Sequence, residues 1–247
     1  MKIEFNGRNV VVAGGSRGIG RSIALAFAAS GANVSVCARG EAALRSTEQG
    51  LRASGGKVHA ATCDLADGPA VKAYVESAAA ALGGIDVLVN NASAFGRSDD
   101  EAGWEASISV DLMAPVRASY AALPFLEKNA GAIVHVAALA GLRASVRTPP
   151  YGAIEAAIIQ YTRTQAAQLA ARNIRVNCVA PGPIYFEGGT WDHNRREKPE
   201  LYRSVLARCP FGRMGTPEEV ANVALFLASD AASWVTGQTI AVDGALA

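Results

Sequence analysis

Tyr151 and Glu155 stand one helical turn apart in the segment Tyr151-Gly152-Ala153-Ile154-Glu155. Positions i and i+4 share a helix face, so a phenol and a carboxyl meet there. A carboxylate beside a phenol opposes its ionisation, so the pair suits a neutral tyrosine that gives a proton. A second chemistry is written nearer the N-terminus, in Gly14-Gly15-Ser16-Arg17-Gly18-Ile19-Gly20. This loop joins an apolar β-branched run to a helix. Gly14 permits a tight turn, Gly18 lets backbone approach a diphosphate, and Gly20 lets the helix pack near the strand. The helix N-terminus then faces the phosphate charge. A bare strand-to-helix turn is the plainer alternative, but the placement between a first strand and a helix favours a dinucleotide.

The next apolar run ends in Cys37-Ala38-Arg39. Ala38 cannot accept a hydrogen bond from a ribose diol, whereas Arg17 and Arg39 can both reach a 2′-phosphate. NADP(H) is therefore the expected cofactor. The alternative for both arginines is simple solvation.

Strand and helix patterns alternate along the whole chain. Short apolar runs at 9–13, 33–37, 57–61, 86–89, 132–137, 174–179 and 239–242 read as strands buried on both faces. Ala-rich stretches at 20–30, 70–82 and 151–171 read as helices. This alternation predicts one Rossmann-type, doubly wound α/β domain over residues 1–247 with a seven-stranded parallel sheet. Residues 183–199 lack clear periodicity and follow a strand, where open α/β sheets bind ligands. They predict a substrate loop or lid at about 183–210.

With 247 residues, half of them apolar, and a net charge of +1, the chain can bury a sizeable core. It lacks the basic excess of a general nucleic-acid surface, and no apolar run is long enough for a membrane span. No secretory signal is expected at the N-terminus. Cys37, Cys63, Cys178 and Cys209 show no CxxC spacing and read as reduced thiols of a cytoplasmic protein.

Several ordered motifs resemble the short-chain dehydrogenase/reductase family in its compact single-domain form. They are the glycine loop; Cys63-Asp64-Leu65; Asn90-Asn91-Ala92-Ser93; Pro181-Gly182-Pro183-Ile184; and Arg213-Met214-Gly215-Thr216-Pro217-Glu218-Glu219-Val220, followed by Ser229-Asp230, Thr236-Gly237-Gln238 and Val242-Asp243-Gly244. The resemblance implies that Asp64, Leu65, Asn90, Ala92, Tyr151, Pro181, Gly182 and Ile184 line the cofactor. It also implies hydride transfer between nicotinamide and a carbonyl or alcohol carbon. A homotetramer or dimer is implied too, built through helices carrying residues 109–127 and 151–171 and through the last strand.

At the family's proton-handling positions this sequence differs. The tyrosine is retained as Tyr151. The lysine position holds Glu155, the serine position Ala138 and the asparagine position Asp111, and Phe186 replaces a threonine. The lysine-to-glutamate change reverses the field at Tyr151. Two readings follow. In one, the chain is an atypical oxidoreductase acting on a small or medium apolar carbonyl, imine or activated alkene, lying between Tyr151, Ala138, Leu139 and residues 185–191. Tyr151 donates the proton, and Glu155 or Asp111, with raised pKa values, relays it. In the other, it binds NADP without ordinary redox activity, as an isomerase or lyase or as an inactive partner subunit. The plainer placements are a solvated helix surface for Glu155, a helix cap for Asp111 and a packed side chain for Tyr151.

His135, on the fifth strand, is either a satisfied buried histidine or a proton shuttle. His193 and Glu187 match no metal-site spacing, so no metal is expected. Arg143 and Arg147 are open to an anionic substrate or to water. Residues 195–198 read as a solvated helix start.

Overall fold

The computed structural model describes residues 3–246. Seven strands form one sheet: β1 (Asn9–Ala13), β2 (Asn33–Ala38), β3 (Val58–Thr62), β4 (Val87–Asn90), β5 (Ala132–Val136), β6 (Arg175–Pro181) and β7 (Thr239–Val242). Their order is β3-β2-β1-β4-β5-β6-β7, with every pairing parallel. The order reverses between β1 and β4, and the carboxyl ends of strands beside such a switch point hold ligands in this architecture.

Nine helices of the described residues flank the sheet. They are α1 (Gly18–Ala29), α2 (Glu41–Arg52), α3 (Gly68–Leu82), α4 (Glu101–Ala106), α5 (Ala114–Leu126), α6 (Pro149–Leu169), α7 (Thr190–Glu197), α8 (Pro199–Leu206) and α9 (Pro217–Ala228). Successive strand residues point to opposite faces. Val10, Val12, Val87 and Val89 therefore pack towards α1, α2 and α9, while Val11, Ala13 and Leu88 pack towards α3, α5 and α6. Short β-branched runs become central strands because both faces are covered.

All seven expected strands form, with ends shifted by a residue or two. The sequence expectation was less accurate in three places. Residues 183–199 are not all loop, since α7 lies within them. Its sequence, Thr-Trp-Asp-His-Asn-Arg-Arg-Glu, is polar on nearly every side and leaves no apolar stripe to read. Arg195 and Arg196 accordingly close a helix rather than start one, where cations complement the carbonyl end. The helix expected at 109–127 is the later part of a longer helical run. α4 continues through a π-helical segment, Ser107–Met113, into α5. Such wide turns displace side chains from α-helical register and often sit at functional sites.

Phe27 of α1 is fully buried and meets the Phe5 ring edge-on at 4.7 Å. Phe27→Ala is expected to lower unfolding stability by about 3–5 kcal/mol in denaturant titrations. A loss well under 1 kcal/mol would mean that the α1–α9 layer repacks freely.

Candidate active site

Tyr151 sits in the first turn of α6, and Glu155 follows one turn later facing the sheet. Glu155 is only 3 % exposed. A solvated surface placement is therefore incorrect: the adjoining turn Leu139–Gly141 presses on α6 so closely that a Cβ on Gly141 would lie 2.6 Å from the Glu155 backbone. Ala138 opens that turn and is buried. Asp111 belongs to the π segment and is 4 % exposed, so it is not a helix cap. Its Oδ1 accepts from the Ala94 amide at 2.6 Å, and Ser107 Oγ accepts from Gly96 at 3.2 Å. These two bonds fasten the loop after β4 to the helix.

Half-buried Tyr151 and the buried carboxyls of Glu155 and Asp111 thus form one acidic group. Burial raises the Tyr151 pKa well above the ordinary phenol value, and the charges of Glu155 and Asp111 raise it further. Burial also raises Glu155 well above the usual carboxylate range, with Asp111 adding to the effect and the Tyr151 hydroxyl acting against it. Asp111 is raised by burial, offset partly by the Ala94 amide. Asp111 Oδ2 is buried with no hydrogen-bond partner among the described residues. An ionised oxygen in that position would be costly, whereas a protonated carboxyl is tolerated. Both directions favour the protonated form of these carboxyls over the ionised one.

Phe95 completes this group and was not legible in the sequence. Its ring meets Tyr151 edge-on at 4.7 Å, and its backbone has φ +53°. An aromatic residue seldom adopts that conformation. Here the Ser93 hydroxyl accepts from the Phe95 amide at 3.0 Å.

His135 lies elsewhere, in a buried network. Its Nε2 donates to Gln165 Oε1 at 3.0 Å, and Nδ1 accepts from Asn90 Nδ2 at 3.2 Å. Both ring nitrogens are committed, and burial pushes its pKa down to about 4. The ring is a fixed neutral tautomer, and the structure does not bring it to the acidic group. Arg143 donates to the Leu246 carbonyl at 3.0 Å.

The glycine loop lies at the β1–β4 switch point. The amides of Gly14 and Gly15 donate to the Cys37 carbonyl at 3.2 and 3.1 Å, and Thr47 holds the Ser16 carbonyl at 3.0 Å. A Cβ on Gly14 would lie 2.7 Å from Ala92, and one on Gly20 2.1 Å from the Gly14 carbonyl. Only bare backbone fits there. α1 opens with no side-chain cap and no acidic residue in its first turn, which leaves its amides for an anion. Arg17 and Arg39 are exposed at the ends of β1 and β2. Asp64 is also exposed, while Leu65 turns into the core. Asn90 faces the His135 network rather than the cleft. Asn91, second in the Asn90–Ser93 motif, takes a role its motif did not assign: its Nδ2 donates to the Gly14 carbonyl at 2.8 Å. Pro181 ends β6, Gly182 runs against Asp243, and Ile184 bridges Gly215. The bare backbone of Gly14 and Gly20 and the uncapped start of α1 suit an anionic diphosphate, whereas Leu65 and Asn90 point away from the cleft.

A family model described as enoyl-(acyl carrier protein) reductase matches residues 13–246. The chain is 39 % identical to the 3-oxoacyl-[acyl-carrier-protein] reductase FabG of Chlamydia muridarum, covering 96 % of each chain. The chain belongs to the short-chain dehydrogenase/reductase family. Among solved structures it is similar to L-sorbose reductase of Gluconobacter frateurii in complex with NADPH and L-sorbose, at 30 % identity and a TM-score of 0.91. That alignment covers 100 % of this chain and 98 % of the other. It is also similar to a 7α-hydroxysteroid dehydrogenase in complex with NADH and 7-oxo glycochenodeoxycholic acid, at 31 % identity and a TM-score of 0.92. There the coverage is 99 % and 96 %. The chain is an oxidoreductase of this family, whose members use NAD(P)(H). Among the described residues no helix is long and apolar enough to cross a membrane, and no group of three or more His, Cys, Asp or Glu could hold a metal ion.

The raised carboxyl of Glu155 links stability to pH. A group whose folded pKa exceeds its unfolded value stabilises fully below the unfolded pKa, and that contribution fades as pH rises towards the folded value. Glu155→Gln does not titrate. It is therefore expected to exceed the wild type in unfolding stability at pH 8, by on the order of 1 kcal/mol or more. The advantage should shrink as pH falls towards the ordinary carboxylate range. Denaturant titrations across that span check this, and a pH-independent difference would exclude the buried titration.

Proposed function

We propose that this chain is an atypical NADP(H)-linked oxidoreductase for a small or medium apolar carbonyl, imine or activated alkene, with Tyr151 as proton donor. The observation that carries the proposal is the burial of Glu155 and Asp111 beside Tyr151. Exposed Arg17 and Arg39, with Ala38 where an acidic residue would favour NAD, support the phosphorylated cofactor. When bound, the dinucleotide supplies or accepts hydride at its nicotinamide. This chain's own residues then handle the proton.

The Tyr151 hydroxyl stays neutral at any working pH, so it donates rather than abstracts. An alkoxide or amide anion formed on reduction is a stronger base than a phenolate and takes the phenol proton. The Glu155–Asp111 pair returns a proton to the phenolate oxygen. Ala138 offers no hydroxyl to hold a substrate oxygen, which favours substrates that need less help there. Leu139 packs in an apolar cluster with Tyr185, Trp191 and Tyr202. That cluster supports an apolar wall and a lid formed by residues 183–210. Relatives named as oxidoreductases favour this reading over a non-redox one. Four free buried cysteines accord with the cytoplasm. Assembly as a homotetramer or dimer through α5, α6 and β7 belongs to the same proposal.

Two measurements test it. Arg39→Ala is expected to weaken NADPH binding by about 1–3 kcal/mol, as loss of a charged hydrogen bond would, with little effect on NADH. Equal losses for both nucleotides would remove the NADP preference. The double variant Ala138→Ser, Glu155→Lys is expected to gain ketone reduction at least ~100-fold over the wild type, the scale of general acid–base assistance. No gain, in a folded protein that binds NADPH, would show that the altered positions do not limit the chemistry.

A further inference from the structure

Phe186 lies across the glycine loop. A Cβ on Gly18 would come within 2.5 Å of its ring, and one on Gly189 within 2.8 Å. The phenyl is held between two bare backbones. A phosphate approaching the Gly18 backbone needs the space that this ring takes, and a phenyl offers no hydrogen bond in return.

The segment bearing the ring is fastened on both sides. Upstream, the Tyr185 amide donates to the Gly215 carbonyl at 2.8 Å, and Gly215 donates to Pro183 at 3.0 Å. Downstream, Asp192 accepts from the Tyr185 hydroxyl at 2.9 Å and from the Gly188 amide at 3.0 Å, and it pairs with Arg196 at 3.0 Å. Gly188 has φ +72°, with open space where a Cβ would be. It can absorb a change in backbone direction that other residues resist.

We infer that Phe186 is a displaceable cover on the phosphate loop, which a dinucleotide's diphosphate reaches only after residues 185–189 swing away. The inference rests on the nucleotide-binding reading above and adds a kinetic property to it. The closed form takes up the loop's free surface, so only the open fraction binds. Asp192 sets that fraction because it ties down both Tyr185 and Gly188. α7 starts at Thr190, which is in contact with Arg97 at 3.5 Å, and the Arg97 guanidinium lies over the Phe95 ring at 4.6 Å. Phe95 meets Tyr151, so opening of the cover reaches the proton-handling group through consecutive contacts.

Stopped-flow mixing with NADPH, followed by nucleotide fluorescence, tests the cover. For the wild type the observed rate is expected to level off as NADPH rises, since opening becomes limiting. For Phe186→Ala it should rise linearly and be faster by on the order of ten-fold at the highest concentration. Asp192→Asn keeps the ring, loosens its fastening and should raise the plateau. Identical linear dependences in the wild type and both variants overturn the cover while leaving nucleotide binding intact. If calorimetry shows that neither the wild type nor Phe186→Ala binds NADPH or NADH, the nucleotide reading falls and the cover with it. Should Phe186→Ala fail to fold, the wild-type plateau and its rise in Asp192→Asn decide the matter.

Discussion

Two buried carboxyl groups meet a half-buried phenol, and among the described residues no cation offsets their charge. Taking an ionised carboxylate out of water is expensive, and a second like charge nearby adds to the cost. The least costly response is to keep a proton. The rest of the site follows from that constraint. Tyr151 is held in its neutral form, and in the proposed mechanism the Glu155–Asp111 pair is a proton reserve rather than a field that favours ionisation. The fold tolerates this arrangement because α6 is pinned against the sheet by the turn at Leu139–Gly141, and because the π segment directs Asp111 inward.

The architecture separates two tasks along the carboxyl edge of the sheet. Around β1 and β4, bare glycine backbone and an uncapped helix offer positive partial charge to an anion. Around β5 and α6, the carboxyls of Glu155 and Asp111 lie near Tyr151 and, in the proposed mechanism, handle the proton. The loop after β4 joins the two regions. Asn91 grips Gly14 on one side, while Ala94 and Phe95 meet Asp111 and Tyr151 on the other. A ligand that orders the glycine loop is thus mechanically close to the acidic group.

Much of the framework was legible in the sequence. Seven apolar runs alternating with helical periodicity dictate a parallel sheet, and the glycine loop marks the bare backbone proposed to receive an anion. The i,i+4 spacing of Tyr151 and Glu155 also foretold their contact. Burial was harder to read, since a lone glutamate on a helix carries no local mark of which face it occupies. The π turn at Ser107–Met113 is invisible because no residue type demands it; the bonds from Ala94 and Gly96 that accompany it are tertiary. The same holds for Phe95, whose left-handed backbone no pattern announces, and for the polar helix α7, which lacks an apolar stripe. For His135 the sequence favours packing over catalysis but does not name the partners, and Gln165 and Asn90, far away in sequence, occupy both its nitrogens.

A direct view of the retained proton comes from infrared difference spectroscopy of the protein at neutral pH against Glu155→Gln and Asp111→Asn. A carbonyl stretch of a protonated carboxylic acid should be present in the wild type and be lost or shifted in each variant. If the wild-type spectrum at pH 7 contains only carboxylate bands, the two groups are ionised and the proton reserve beneath Tyr151 does not exist.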